Sequence, residues 1–142
     1  MSAENVEITL RMRDAFNCRD LKGLAGMCDD DVEFVSFLAA VDAGGATYRG
    51  TGFWDSYFAR MDESWGDWQV EDAQVFDAGE DRVAAVFRLV GAGKSSGVPV
   101  DQTVGMAIRF RNGKVWRIRS YPNGADALEA VGLSEQDAHA DS

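Results

Sequence analysis

The stretch from Pro99 to Leu133 constrains this chain more than any other. Asn112-Gly113 separates two runs in which apolar and polar residues alternate, Val98–Arg111 and Lys114–Tyr121. An Asn-Gly pair readily supplies the positive φ angles of a tight hairpin turn, so the two runs are predicted to pair as antiparallel strands. The second strand leads into Asn123, a predicted helix N-cap with Asp126 as its capping-box partner, and the helix stops at Gly132. Alternation then sorts the hairpin into two faces. Gln102, Val104, Met106, Ile108 and Phe110 share one face with Trp116, Ile118 and Ser120. Asp101, Thr103, Arg109, Val115, Arg117, Arg119 and Tyr121 share the other. The apolar face must meet a core, and the preceding residues are expected to supply it.

Those residues read as helices first and a sheet afterwards. Ile8, Met12, Ala15 and Phe16 mark one face of a first helix. A second begins at Asp20 as N-cap, with Leu21, Leu24 and Cys28 on one side. Asp29, Asp30 and Asp31 read as a solvated turn rather than a cation site, because they lack a spaced ligand pattern. Val32–Val41 is the first predicted strand, broken at Asp42-Ala43-Gly44-Gly45-Ala46. Thr51 is the predicted cap of a third helix, whose Trp54, Tyr57, Phe58 and Met61 fall at helical spacing. Trp68–Phe76 and Arg82–Val90 are further strands. The Gly91–Gly97 tract lacks P-loop spacing and joins two strands, so it reads as a hairpin loop. Trp65 and Trp68 either rim an opening or cover the core. The pattern is α+β, with one domain over residues 1–133 and a polar tail over 134–142.

Charge and residue counts remove several function classes. The formal net charge of the 142 residues is -10. Such a chain is repelled by phosphate backbones and anionic bilayers, so neither a nucleic acid nor a membrane is an expected partner. Nothing resembles a signal peptide or a membrane span, and a cytoplasmic location is expected. Cys18 and Cys28 form no C-x-x-C motif and read as small buried hydrophobes. The single histidine, His139, sits in the tail. No metal site, no cofactor and no histidine-dependent triad is therefore expected.

The order of elements, together with particular residues, resembles the SnoaL-like branch of the nuclear transport factor 2-like superfamily. The resembling residues begin with Asp29-Asp30-Asp31-Val32-Glu33-Phe34 and Tyr48-Arg49-Gly50. They continue with Phe76-Asp77-Ala78-Gly79, Asp81-Arg82-Val83 and Asp101-Gln102. Arg111–Val115 and Ala127–Leu133 complete the set, and the likeness runs from Val6 to Leu133. It implies a cone-shaped barrel, a strongly bent antiparallel sheet wrapped around the N-terminal helices, enclosing a mostly apolar pocket. It also implies a homodimer through the outer sheet face. Ketosteroid isomerases, limonene epoxide hydrolases, scytalone dehydratases, polyketide cyclases and non-catalytic modules share this fold, so fold alone does not settle function. Alignment places Ser36, Met12 and Met106 where ketosteroid isomerases carry their aspartate, tyrosine and protonated aspartic acid. Ala85, Val83, Ser120, Phe34 and Ser36 stand where limonene epoxide hydrolases carry their Asp-Arg-Asp set, tyrosine and asparagine. Neither mechanism is expected.

Parity and the implied fold together nominate a pocket for a bulky apolar small molecule. Its walls are expected to be Met12, Phe16, Phe34, Trp54, Tyr57, Phe87, Val104, Met106, Trp116 and Ile118. Ser36, Tyr57, Gln102 and Ser120 are expected to be its polar groups. Asp101 is the candidate acid/base group. Alternation points it outward beside Arg109, and a β-bulge near Pro99 would turn it inward. Tyr57 is the candidate electrophilic donor. Three readings follow: an enzyme of isomerase, cyclase, dehydratase or hydrolase type, a non-catalytic ligand-binding protein, and a dimerising interaction module.

Overall fold

Helix α1 (Ser2–Asn17) and helix α2 (Leu21–Gly26) open the chain in the computed structural model, which describes residues 2–37 and 46–134. Strands β1 (Cys28–Ser36) and β2 (Ala46–Arg49) precede helix α3 (Phe53–Ser64). Strands β3 (Trp65–Gly79), β4 (Arg82–Gly93), β5 (Pro99–Arg111) and β6 (Lys114–Tyr121) follow, and helix α4 (Gly124–Ala130) closes the fold. The six strands form one curved, unclosed sheet in the order β2-β1-β6-β5-β4-β3. All neighbours are antiparallel except β1 and β6, which run parallel. No helix among the described residues is long and apolar enough to cross a membrane.

Local chemistry explains most boundaries. Asp20 caps α2 by accepting from the Gly23 N–H at 2.9 Å. Asn123 caps α4 by accepting from the Asp126 N–H at 2.8 Å. Gly132, at φ 84, ends that helix, and the Leu133 N–H returns to the Leu128 carbonyl. Asn112 and Gly113 both take positive φ, 54 and 76, as a twist-matched hairpin turn requires. Helix α3 differs from expectation: its N-cap is Gly52, with no side-chain cap, rather than Thr51.

Two expectations about β1 are corrected. The strand begins at Cys28 rather than Val32, so the acidic triplet lies within it. Arg111 makes this affordable by donating to Asp29 at 2.8 and 3.2 Å and to Asp31 at 3.3 Å. A register break between Cys28 and Glu33 absorbs the irregularity. Positions 38–41 of the expected strand, the expected break at 42–45, and His139 with most of the tail lie outside the described residues. Strand β2 carried no alternation long enough to announce it.

The sheet's two faces are packed unequally. On the inner face, α1, α2 and α3 close over Phe34, Trp54, Tyr57, Phe58, Trp68, Val83, Val104 and Ile118, all buried. On the outer face, α4 covers a smaller apolar cluster of Ala84, Leu128 and Val131 with Ala107. The close approach needs Gly105: a Cβ there would collide with the Asn123 carbonyl and lie 2.7 Å from Ala127 Cβ.

Candidate functional site

An apolar cavity of about 70 Å³ lies between α1 and the inner sheet face. Met12 and Phe16 of α1, Trp54 of α3, Phe87 of β4, Met106 of β5 and Ile118 of β6 line it. A second space of about 10 Å³ continues past Phe16, Phe87 and Met106 to Tyr57, Val104 and Ser120. The first holds several water-sized spheres and the second about one. Phe34 stands behind this wall, its ring 5.2 Å from Tyr57 and 6.2 Å from Trp54. Most of the expected walls are thus brought together, but the space is tighter than a bulky occupant requires.

The polar end is buried. Tyr57 is 4% exposed and Ser36 1%. The Tyr57 hydroxyl hydrogen-bonds Ser36, while burial and the neighbouring Tyr48 push its ionisation well above the ordinary phenol value. Tyr57 is therefore a neutral hydroxyl at any working pH. Ser120 Oγ accepts the Phe37 N–H at 3.0 Å. Cys18, expected to be buried, is exposed, whereas burial drives the Cys28 thiol up to about 11. That thiol remains protonated and is not a nucleophile.

Asp101, Trp116 and Gln102 line neither inner cavity, and for Asp101 and Gln102 alternation had the strand face right. Asp101 faces out, 55% exposed. Its ion-pair partner is Arg88, at 2.6 and 3.0 Å, rather than Arg109. The Arg88 guanidinium holds the Asp101 carboxyl below the usual carboxylate range. No bulge turns Asp101 inward, because β4 and β5 stay in register from Arg82/Arg109 to Ala92/Pro99. Trp116 leaves the inner wall. The β5–β6 register slips between Arg109 and Phe110, so Phe110 opposes Val115. Val115, expected outside, is fully buried in the main core, and Trp116 is the extra residue of a bulge. Arg117 and Arg111 lie over its ring at 4.2 and 4.6 Å. Gln102 keeps its inner parity opposite Leu89, but lines neither cavity. Its amide donates to the Thr103 and Pro122 carbonyls.

Other lining residues were not foreseen: Thr9, Leu10 and Arg13 of α1, and Val70, Ala73 and Val75 of β3. A helix lying over an opening exposes side chains from more than its apolar stripe. On β3 the alternation fails because the register slips between Glu71 and Gln74, where Asp72 takes φ 54. That slip lets Val70, Ala73 and Val75 face one space. Trp68 covers the core, 2% exposed, with its Nε1 donating to Asp62 at 2.7 Å, and Trp65 packs beside it. Among the described residues, no carboxylate side chain lines either inner cavity. Arg13, at the mouth and paired with Asp14 at 2.9 Å, is the charged group there.

Known proteins resemble this arrangement. The sequence profile of a family described as a SnoaL-like domain matches residues 9–118. No curated protein matches the chain by sequence. Among solved structures, a nuclear transport factor 2-like protein of unknown function from Burkholderia pseudomallei is similar at TM-score 0.75 and 16% identity, covering 92% of this chain and 98% of that one. A candidate polyketide cyclase from Xanthomonas campestris is similar at TM-score 0.73 and 19% identity, with 92% and 98% covered. A protein of ketosteroid isomerase-like fold from Catenulispora acidiphila, in complex with trimethylamine, is similar at TM-score 0.70 and 20% identity, with 89% and 93% covered. At these identities the likeness is one of fold.

Proposed function

The chain belongs to the SnoaL-like domain family, and from that membership we propose that it binds a hydrophobic small molecule in the cavity under α1. The observation that carries this reading is the cavity's make-up: aromatic, methionine and aliphatic walls that lead to the buried hydroxyls of Tyr57 and Ser120. Such a space suits an apolar body with one hydrogen-bonding oxygen. At about 70 Å³ it is roughly half the ~150 Å³ that admits benzene in an engineered core. Larger occupants require α1 to move outward.

Catalysis is the second reading, favoured by one feature. A neutral, desolvated Tyr57 hydroxyl is a fit donor to a carbonyl that gains negative charge. Among the described residues it has no inner carboxylate to act with, so the binding reading is preferred. The test is a thermal-shift screen with polycyclic and terpenoid compounds, run on the wild type and on Ala73→Phe, which plugs the mouth. Binders are expected to raise the melting temperature of the wild type alone. Shifts of equal size in both proteins, or none with any compound, would sink the proposal.

Pairing of two copies belongs with this reading, on the outer face toward the Tyr121 end of β6, beside Val35 and Arg119. There Arg119 is exposed and Val35 and Tyr121 are half-buried. Light scattering is expected to give twice the 15.5 kDa chain mass; the single mass would refute it.

A further inference from the structure

We propose that the outer face carries a second site, for a small organic anion, built by Arg82, Arg109 and Trp116 at the hairpin end of the sheet. Strand register sets Arg82 directly opposite Arg109, and Arg109 directly opposite Arg117. Three guanidinium-bearing residues therefore stand in a row on one face of adjacent strands. Like charges opposed across strands repel, and a fold does not gain stability by lining them up. The chain has carboxylates to spare, with Asp+Glu 24 against Lys+Arg 14. It spends them on other arginines: Asp72 and Asp101 on Arg88, Asp29 and Asp31 on Arg111, Glu33 on Arg49.

Within the row, neutralisation is poor. Arg109 has no carboxylate in ion-pair range among the described residues. Arg117 donates to the backbone carbonyls of Asp31 and Trp116. Arg82 has Glu80 at 3.4 Å, and that carboxylate is 86% exposed.

A recess of about 300 Å³ adjoins this row, lined by Glu80, Asp81, Arg82, Arg109, Phe110 and Trp116. It is larger than the inner cavity and lies at the lower end of small-molecule site volumes. Two guanidiniums offer paired N–H forks to a carboxylate or phosphate, and Phe110 and Trp116 offer apolar contact to the body that bears it. Glu80, beside Arg82, and Asp81, whose Oδ1 accepts from the neutral Asn5 amide at 3.1 Å, border the recess with their charges in place, so Arg109 is the guanidinium that carries the anion's binding. The bulge that removes Trp116 from the core is what brings its ring here.

The test measures binding of benzoate, phenyl phosphate and inorganic phosphate by calorimetry, to the wild type, Arg109→Gln and Arg11→Gln. Arg11 is exposed on α1 and lines neither inner cavity nor the recess. The two aromatic anions are expected to bind the wild type, about tenfold more weakly to Arg109→Gln, and within about twofold of wild type to Arg11→Gln. Arg109→Gln without ligand is expected to melt no lower than wild type, since it removes a like-charge neighbour. Absence of binding, equal loss in both variants, inorganic phosphate binding as well as the aromatic anions, or a fall in the melting temperature of Arg109→Gln would each overturn the proposal.

Discussion

At the scale of single residues, Tyr57 is the side chain whose environment differs most from water. Burial raises its ionisation above the ordinary 10.0, so the folded chain holds the phenol proton more tightly than the unfolded chain. The contribution to stability is full below about pH 10 and is lost as pH rises above it, because the unfolded state then ionises first. An alkaline titration followed by phenolate absorbance is expected to leave one tyrosine silent until the fold gives way. Asp101 is the opposite case. Its lowered ionisation comes from Arg88 in open solvent, where ion pairs contribute little. Asp101→Asn is expected to leave ligand-induced thermal shifts unchanged; a large loss would restore Asp101 to the site. Helical spacing and alternation put Tyr57, Met12, Phe16, Phe87 and Met106 on inward faces, the resemblance implied a pocket there, and the structure sets them around the inner cavities. Sequence could not pair Asp101 with Arg88, since a side chain's choice between two nearby arginines depends on strand register.

At the scale of elements, the β5–β6 hairpin shows where alternation stops being a guide. The turn at Asn112-Gly113 and the strand pairing were legible. The slip beyond Arg109 was not, because a bulge inserts one residue without any fixed sequence signature. It exchanges the roles of neighbours: Val115 enters the core and Trp116 leaves it. Val115→Asp is therefore expected to destabilise by several kcal/mol, since it buries a charge with no partner. Trp116→Glu is expected to do far less damage. Chemical denaturation of both variants measures the order, and the reverse order would mean that the hairpin runs without its bulge. The same limitation hid the β3 contribution to the cavity, where the break near Asp72 resets which residues face inward.

At the scale of the whole molecule, α1 is fastened to the sheet near both ends. Asn5 donates to Asp81, and Asn17 exchanges two hydrogen bonds with the Val70 backbone, at 2.8 and 3.0 Å. Asn17 thereby acts as a short strand neighbour for β3. Asn17→Ala leaves both Val70 groups without that partner and is expected to cost about 1–3 kcal/mol. It should also speed ligand uptake in stopped-flow measurements, because the helix over the cavity is then held at one end. Unchanged stability and unchanged uptake would show that the fastening is incidental. The α+β layout was readable from the order of periodicities. The modest size of the cavity was not, because it depends on how closely α1 settles on β3.

The irregularity of β3 has a consequence for the protein at high concentration. As the last strand of an unclosed sheet, it offers backbone donors and acceptors to any extended segment of another chain. Its pairing is broken between Gly66 and Gln69, between Glu71 and Gln74, and between Asp77 and Gly79, and the amide of Asn17 takes the N–H and carbonyl of Val70 in the paired run between the first two breaks. A second molecule therefore finds no straight, continuous template on which to grow a fibril. The described part of the far edge, β2, is the 4 residues Ala46–Arg49. An unclosed sheet is thus kept from polymerising by the kinks along its β3 border.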